Sequence, residues 1–145
     1  MRLVLQRVRR AEVRVGGETV GAIGRGLLAL VAVVPGDDAA TAGLAADRLA
    51  GLRCFDDAAG RMNLDAGAAG AGFLVVSQFT LAADLSRGRR PSFTGAAPPE
   101  VAAPLVDAVA DDLRRRGFPV ATGRFGATME VELVNDGPVT FVLDV

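Results

Sequence analysis

The sequence predicts an α+β fold in which a curled, barrel-like and mostly antiparallel sheet packs with two main helices in a single domain over residues 1–145. Three observations indicate this fold. Short runs typical of strands fill the first third, two later stretches have helical spacing, and no linker or internal repeat divides the chain. Half of the 145 residues are apolar, which is enough for the core of one domain.

Strands account for most of the chain before residue 35. Residues 3–8 predict one strand, and residues 11–15 predict a second, in which apolar and charged side chains alternate. Gly16-Gly17 indicates a two-residue hairpin, because both central positions of such a turn favour positive φ. The returning strand is predicted at 20–23, and the continuous apolar run at 27–34 predicts a central strand.

The first helix follows Asp37 and Asp38, either of which can cap its amino-terminal end. Its predicted apolar face consists of Leu44, Ala45, Leu49 and Leu52. After it, two short strands are predicted at 52–55 and 61–64, followed by a Gly/Ala-rich loop at 66–72 and a buried strand at 73–76.

The second and longer helix opens at Pro98-Pro99 and ends before Gly117. Its apolar positions, about four residues apart, are Val101, Leu105, Val106, Val109 and Leu113. Pro104 would lose a hydrogen bond inside a helix, so the helix is predicted either to begin near Ala103 or to have a distorted first turn. Two last strands are predicted at 129–134 and 139–143.

The residue types that are missing restrict the possible chemistry. The chain has no histidine and no lysine, which excludes His-activated nucleophiles, Schiff-base chemistry and the phosphate-loop lysine. Its single cysteine, Cys54, cannot form an internal disulfide and is expected to be a small buried hydrophobe. Asp and Glu show no clustered ligand spacing, so we expect no metal and no cofactor.

No apolar run in the sequence approaches the roughly 18 residues needed to cross a bilayer. The amino-terminal residues become polar again at once, unlike a secretory signal. We therefore expect a soluble, cytoplasmic protein with no membrane partner.

Ser77-Gln78-Phe79-Thr80 places two hydroxyls and an amide where the buried strand ends. The ends of strands are common binding sites, so this segment is a candidate site. The alternative is structural: Ser77 and Thr80 would hydrogen-bond the backbone where the strand stops.

Asn135-Asp136-Gly137-Pro138 has the composition of a hairpin turn. However, proline directly after Asp-Gly cannot donate to a strand ladder, and a Gly-Pro bond is a candidate for the cis form. Such a bond would fix the carbonyls of Gly137 and Pro138 in an unusual direction. A plain turn and a substrate-testing site are therefore both open interpretations of this segment.

Together these segments resemble the D-aminoacyl-tRNA deacylase family. The match rests on Ser77-Gln78-Phe79-Thr80-Leu81, Gly88-Arg89-Arg90-Pro91-Ser92-Phe93, Thr122-Gly123-Arg124-Phe125-Gly126-Ala127 and Asn135-Asp136-Gly137-Pro138-Val139-Thr140. The opening Leu5-Gln6-Arg7-Val8 and Gly24-Arg25-Gly26-Leu27-Leu28 are similar to the family as well. The resemblance therefore covers essentially the whole chain.

The resemblance implies a homodimer that cleaves the ester between a D-amino acid, or glycine, and the terminal adenosine of tRNA while rejecting L-aminoacyl groups. It implies that Gly137 and Pro138 of one subunit, joined by a cis bond, face the segment at residues 77–80 of the other. Residues equivalent to Phe125 and Met129 lie near the adenosine in similar proteins. The implied partner is the acceptor end of aminoacyl-tRNA.

The residues present favour a mechanism without a side-chain base. Backbone N–H groups near Phe79 and Thr80 are expected to stabilise the oxyanion, and the ribose 2′-hydroxyl, or a water that it orients, is expected to complete the reaction. Arg7 and the loop arginines Arg87, Arg89 and Arg90 could hold phosphates, which would offset the net charge of −1. The alternative is a non-catalytic nucleic-acid-binding protein on the same scaffold.

Overall fold

The computed structural model describes residues 1–86 and 88–145; Arg87 of the predicted phosphate-binding loop lies outside the described residues. The strands are β1 (Arg2–Val15), β2 (Glu18–Ile23), β3 (Gly26–Ala32), β4 (Phe55–Asp56), β5 (Met62–Leu64), β6 (Gly72–Ser77), β7 (Val120–Thr122) and β8 (Glu130–Asp144). The helices are α1 (Ala39–Gly51) and α2 (Pro99–Arg115), and one 3₁₀ turn, Phe79–Ala82, follows β6.

Strand β1 organises the main sheet, because it pairs on both of its edges. It runs antiparallel to β8 along most of its length, to β3 through its first half and to β2 through its second half. Strands β3, β6 and β7 are parallel to one another. Parallel neighbours need crossover connections, and α1 and α2 lie between β3 and β6 and between β6 and β7, respectively.

The main sheet is curled and nearly closed, as the sequence predicts. Strands β2 and β7 approach so closely that a Cβ atom on Gly21 would lie 2.3 Å from the carbonyl oxygen of Thr122. A smaller sheet of β4 and β5 lies apart from it. The main sheet is mixed, because two of its strand pairings are parallel. The crossover helices α1 and α2 make these parallel pairings possible.

Two pairs of predicted strands are in fact single long strands. Residues 3–8 and 11–15 both belong to β1, and residues 129–134 and 139–143 both belong to β8. The hairpin at Gly16-Gly17 is confirmed, with φ angles of 60° and 83°. The chain keeps its direction through residues 135–138, so the interpretation of that segment as a hairpin turn is wrong.

The helices bury faces rich in alanine. Of the two aspartates predicted as possible caps, Asp38 caps α1, and it forms a capping box with Thr41. Leu44 and Val101, both expected on apolar faces, are exposed. The buried residues of α1 are Ala42, Ala45, Ala46 and Leu49, and those of α2 are Ala102, Val106, Val109, Ala110 and Leu113. Small side chains among these buried residues let the two helices pack closely, whereas Leu44 and Val101 lie on the solvent side of their helices.

Helix α2 starts at Pro99, and the expected start near Ala103 is wrong. Pro104 lies within the helix on its exposed side. The main core fills the space between the sheet and both helices, and a smaller cluster around Val8, Leu28 and Leu74 lies within the curl of the sheet. Neither helix, among the residues described, is long and apolar enough to span a membrane.

Candidate active site

A cleft of about 600 Å³ opens where β6 ends. Its walls come from the ends of β3 and β6, Phe93 with residues 96–99, the buried side of α2, residues 125–127 and the start of β8. Among the predicted site residues, Ser77, Gln78, Phe79, Phe125 and Met129 all line it. The structure thus brings together residues from two motifs that are about fifty positions apart in sequence.

Backbone hydrogen bonds fix the strand-end segment, residues 77–80. The N–H of Gln78 donates to the carbonyl of Val31 at 2.7 Å, which ties the segment to β3. The first bond of the 3₁₀ turn runs from the N–H of Leu81 to the carbonyl of Gln78, at 3.2 Å. The N–H groups of Phe79 and Thr80, which precede that bond, have no acceptor within the turn.

The side chains of the strand-end segment remain largely accessible. Gln78 donates from Nε2 to Oγ1 of Thr80 at 2.6 Å, and this bond is exposed. Phe79 is 55% exposed, and its ring packs edge-to-face on Phe93 with 5.1 Å between centroids. Ser77 is half-buried. In the structural alternative, the hydroxyls of Ser77 and Thr80 would hydrogen-bond nearby backbone groups. Among the described residues, neither hydroxyl forms such a bond.

The walls of the cleft carry no ionisable side chain among the residues described. They consist of apolar and aromatic side chains, glycine, proline, and the polar Ser77 and Gln78. None of these residues is an effective general base near neutral pH. Any proton transfer in this cleft therefore has to involve a group other than the described wall residues.

Met129 lies against Gly123 at the edge of the cleft. A Cβ atom on Gly123 would lie 2.7 Å from the sulfur of Met129, so glycine makes room for this side chain. Phe125 is 41% exposed on the same side. An accessible aromatic ring beside a flexible thioether provides a surface on which a flat ring could stack.

The second motif forms a bulge in β8, residues 136–139. Gln6 pairs with Thr140 and Val8 pairs with Asn135, so one residue of β1, Arg7, lies opposite these four residues of β8. The bulge therefore projects from the sheet. The Gly137–Pro138 peptide bond within it is cis.

Arg7 lies beneath the bulge and is only 6% exposed. Its Nη1 atom donates to the carbonyl of Cys54 at 2.7 Å and to Oδ1 of Asp56 at 3.1 Å, while Nε donates to the carbonyl of Asp136 at 3.0 Å. Burial raises the pKa of the Cys54 thiol, although the charge of Arg7 opposes the shift. With its guanidinium bonded to protein oxygens, Arg7 has the geometry of a residue that supports the bulge.

The structure does not bring the two motifs together within one chain. Gly137 and Pro138 are exposed, and neither lines the cleft. Arg89 and Arg90 are exposed near Phe93, and neither pairs with a carboxylate among the described residues. By contrast, Arg114, Arg115 and Arg116 pair with aspartates on or beside α2, consistent with a solvated helix end.

Sequence reasoning missed some residues of the site. Phe93 and residues 96–99 form one wall of the cleft, but they lie in a loop and at a helix start with no local pattern that indicates a site. The support role of Arg7 had a signal: in a strand with a two-residue period, position 7 lies on the same face as the buried Leu3 and Leu5.

Comparison with known proteins identifies the family. The family model described as D-Tyr-tRNA(Tyr) deacylase matches residues 4–144. A protein named D-aminoacyl-tRNA deacylase from Roseiflexus sp. (strain RS-1) is 60% identical over 144 residues, covering 99% of this chain and 93% of the relative. One of the same name from Methylococcus capsulatus is 60% identical over 140 residues, covering 97% and 92%. The chain belongs to this family.

Membership makes the chain an enzyme, a D-aminoacyl-tRNA deacylase that hydrolyses an ester of tRNA, and the resemblance noted from the motifs is confirmed. A solved structure named "c-Myc DNA Unwinding Element Binding Protein" superposes with a TM-score of 0.94 at 36% identity, covering 100% of this chain and 99% of that one. A probable eukaryotic D-amino acid tRNA deacylase superposes at 0.85 with 18% identity, covering 99% and 98%, and shows the shared fold.

Proposed function

We propose that the cleft binds the terminal adenosine of the tRNA together with the D-aminoacyl group, and that hydrolysis there releases the D-amino acid and free tRNA. Phe125 and Met129 would contact the adenine ring, because they provide the flat and flexible apolar surface on one side of the cleft. Ser77 and Gln78, the polar wall residues, would contact the aminoacyl end.

The backbone N–H groups of Phe79 and Thr80 would stabilise the tetrahedral oxyanion. Both groups lack an acceptor within the 3₁₀ turn, and Gln78 beside them is tied to β3, so they are held in place before substrate arrives. One such donor contributes about 3–4 kcal/mol to the transition state in other hydrolases. Preorganised backbone dipoles would thus do the work that a charged side chain does elsewhere.

The observation that carries this mechanism is the lack of any ionisable side chain on the described walls of the cleft. Thr80 has a hydroxyl, but its described partner is the Gln78 amide, which cannot take a proton. A covalent Thr80 intermediate is therefore chemically poor. We infer that the 2′-hydroxyl of the terminal ribose, or a water that it orients, takes part in the reaction.

Chiral selection would use a second copy of the chain. Gly137 and Pro138 project on a supported bulge but do not reach their own cleft. In a homodimer each bulge would enter the partner's cleft beside residues 77–80. Its fixed carbonyls would accept hydrogen bonds from the amino group and clash with an L side chain. Glycine has no side chain to clash, so tRNA-Ala that is mischarged with glycine would be a substrate as well.

The exposed arginines near the cleft would hold the phosphates of the acceptor end. Arg89 and Arg90 have no carboxylate partner among the described residues and precede the wall residue Phe93 by a few positions. Few contacts suffice for a substrate held at its end, so a net charge of −1 is compatible with RNA binding. Since aminoacyl-tRNA is a substrate of translation, we propose a cytoplasmic enzyme.

The mechanism is tested by comparing two losses. A D-aminoacyl-tRNA that ends in 2′-deoxyadenosine should react about 10²-fold to 10⁴-fold more slowly in single turnover, the usual value of a lost proton-transfer group. Thr80→Ala acting on normal D-aminoacyl-tRNA should lose less than about tenfold. Thr80→Ser is the matched control, because it keeps the hydroxyl and removes only a methyl group.

The opposite pattern would refute the RNA-assisted mechanism: Thr80→Ala abolishes turnover, and the deoxy substrate reacts normally. The corresponding L-aminoacyl-tRNA, assayed in parallel, measures chiral selection in the same experiment. Sedimentation of the purified chain tests the proposed homodimer separately.

A second candidate function, in addition to the deacylase activity, is binding to DNA. It is favoured by the name of the similar solved structure, which describes binding to a DNA unwinding element. Competition tests it: duplex DNA added in excess should slow the release of D-amino acid if DNA occupies the tRNA site, and an unchanged rate would contradict this second function.

A further inference from the structure

The side chain of Asn135 spans the base of the bulge. Its Nδ2 atom donates to the carbonyl of Arg7 at 2.9 Å and to the carbonyl of Val139 at 3.1 Å. The first bond ties the bulge to β1, and the second joins its two ends. One primary amide therefore closes the four-residue loop and anchors it to the sheet.

The other end of the same side chain faces Gly137. A Cβ atom on Gly137 would lie 2.5 Å from Oδ1 of Asn135, closer than any real side chain permits. The backbone at Gly137 thus rests directly against the Asn135 amide. Because Nδ2 is held by two carbonyls, the position of Oδ1 is fixed, and Gly137 cannot move inward.

We propose that Asn135 is a positioning residue for chiral selection, which sets the direction in which the bulge presents the Gly137 and Pro138 carbonyls. The inference rests on the proposed function, in which those carbonyls test the substrate in a partner's cleft. Asn135 itself would touch no substrate; it acts through Gly137.

Only a group with two N–H donors fits this place. An aspartate has the same shape, but when ionised it would direct an oxygen at two carbonyl oxygens. The β1–β8 ladder pairs on both sides of the bulge, so this change should leave the rest of the ladder in place. Asn135→Asp should therefore displace the bulge while leaving the fold intact.

The test compares Asn135→Asp with the wild-type chain on D- and L-aminoacyl-tRNA carrying the same amino acid. At neutral pH the D-to-L ratio of single-turnover rates should fall roughly tenfold, equivalent to about 1.4 kcal/mol. The ratio should partly recover as pH is lowered towards about 4, where an aspartic acid of ordinary pKa is about half protonated and can again donate one hydrogen bond. The melting temperature should stay close to that of the wild type.

Asn63→Asp is the matched control, because Asn63 is the only other asparagine of the chain, lies on β5, and bonds Arg53. It should keep the wild-type ratio at every pH. If Asn135→Asp does not fold, Asn135→Ala replaces it, since that change removes both donors without adding charge.

A wild-type D-to-L ratio in the folded variant would overturn the proposal, and so would equal losses on both substrates with a lowered melting temperature. These failures differ from a failure of the proposed function. In that case the wild-type chain itself would not discriminate between D- and L-aminoacyl-tRNA.

Discussion

In the strand-end segment at residues 77–80, backbone hydrogen bonds to β3 hold the chain, and the side chains remain accessible. In the bulge at residues 136–139 the arrangement is reversed: side chains of Arg7 and Asn135 hold the backbone, whose glycine and proline are exposed. Titratable groups also divide between the regions. They surround the bulge and are absent from the described cleft walls.

The two regions should therefore respond differently to mutation. A region fixed by its backbone tolerates side-chain changes without unfolding, so mutations there should affect the reaction more than stability. In the bulge, the buried support Arg7 should contribute to stability as well as to the direction of the carbonyls, whereas the exposed support Asn135 should affect mainly that direction. Three measurements test whether the two regions differ in this way.

The largest effect is expected at Arg7. Arg7→Leu removes a buried guanidinium that bonds the carbonyls of Cys54 and Asp136, and should lower the free energy of unfolding by about 3 kcal/mol. Urea denaturation measures this loss. Arg9→Leu is the matched control: Arg9 reaches the same Asp136 but is 75% exposed, so the expected change is within about 0.5 kcal/mol. Equal effects of the two changes would contradict the support role.

An intermediate effect is expected at Phe125, on the cleft side. Phe125→Ala should weaken binding by about 1–3 kcal/mol, the usual value of one base stacked on an aromatic ring, and raise KM about fivefold to 150-fold. Because the ring is 41% exposed, the free energy of unfolding should change by less than about 1 kcal/mol. Leu44→Ala, at an exposed site on α1, should change neither quantity. An unchanged KM for Phe125→Ala would contradict the proposed contact between Phe125 and the adenosine.

The smallest effect is a dependence of stability on alkaline pH. Burial raises the pKa of the Cys54 thiol, so the unfolded chain loses this proton first. Below about pH 8.5 both states keep the proton; above it, stability falls as pH rises towards the folded-state pKa. The chain has no histidine, lysine or tyrosine, so Cys54 is the side chain that ionises in this range.

The free energy of unfolding, measured by urea titration between about pH 7 and about pH 10, tests this sign. Wild type should lose more stability over that interval than Cys54→Ala, which has no thiol to ionise. Parallel curves for the two proteins would show that Cys54 does not contribute. Single-turnover rates should lack any inflection from the cleft walls, which contain no ionisable side chain among the residues described.

Local chemistry explains what the sequence predicted well. The Asp38 cap, the Gly16-Gly17 hairpin and the buried strand before Ser77 each depend on neighbouring residues, and all three are found in the structure. The two motifs were recognisable for the same reason. Their residues are close in sequence, whatever the fold around them.

Long-range pairing explains what the sequence could not predict. Strand β7 has three half-buried residues, too few for a pattern, and exists because it pairs with β6. The bulge looked like a turn because its distinguishing feature, the continued pairing of β8 with β1 beyond Thr140, involves residues more than one hundred positions away. Likewise, the alanine-rich faces of α1 and α2 are buried because the two helices pack against each other, which their separate sequences do not show.

The described walls of the cleft hold no acid or base, so they provide no group for proton transfer before the substrate enters. A small ester that diffuses into the cleft would contact an apolar surface and two backbone N–H groups, but no described wall residue would deprotonate water to attack it. Under the proposed mechanism, the reactive hydroxyl comes with the nucleic acid and not from the protein. Such an enzyme would leave intact the other activated carbonyl compounds of a cell, because they arrive without the ribose.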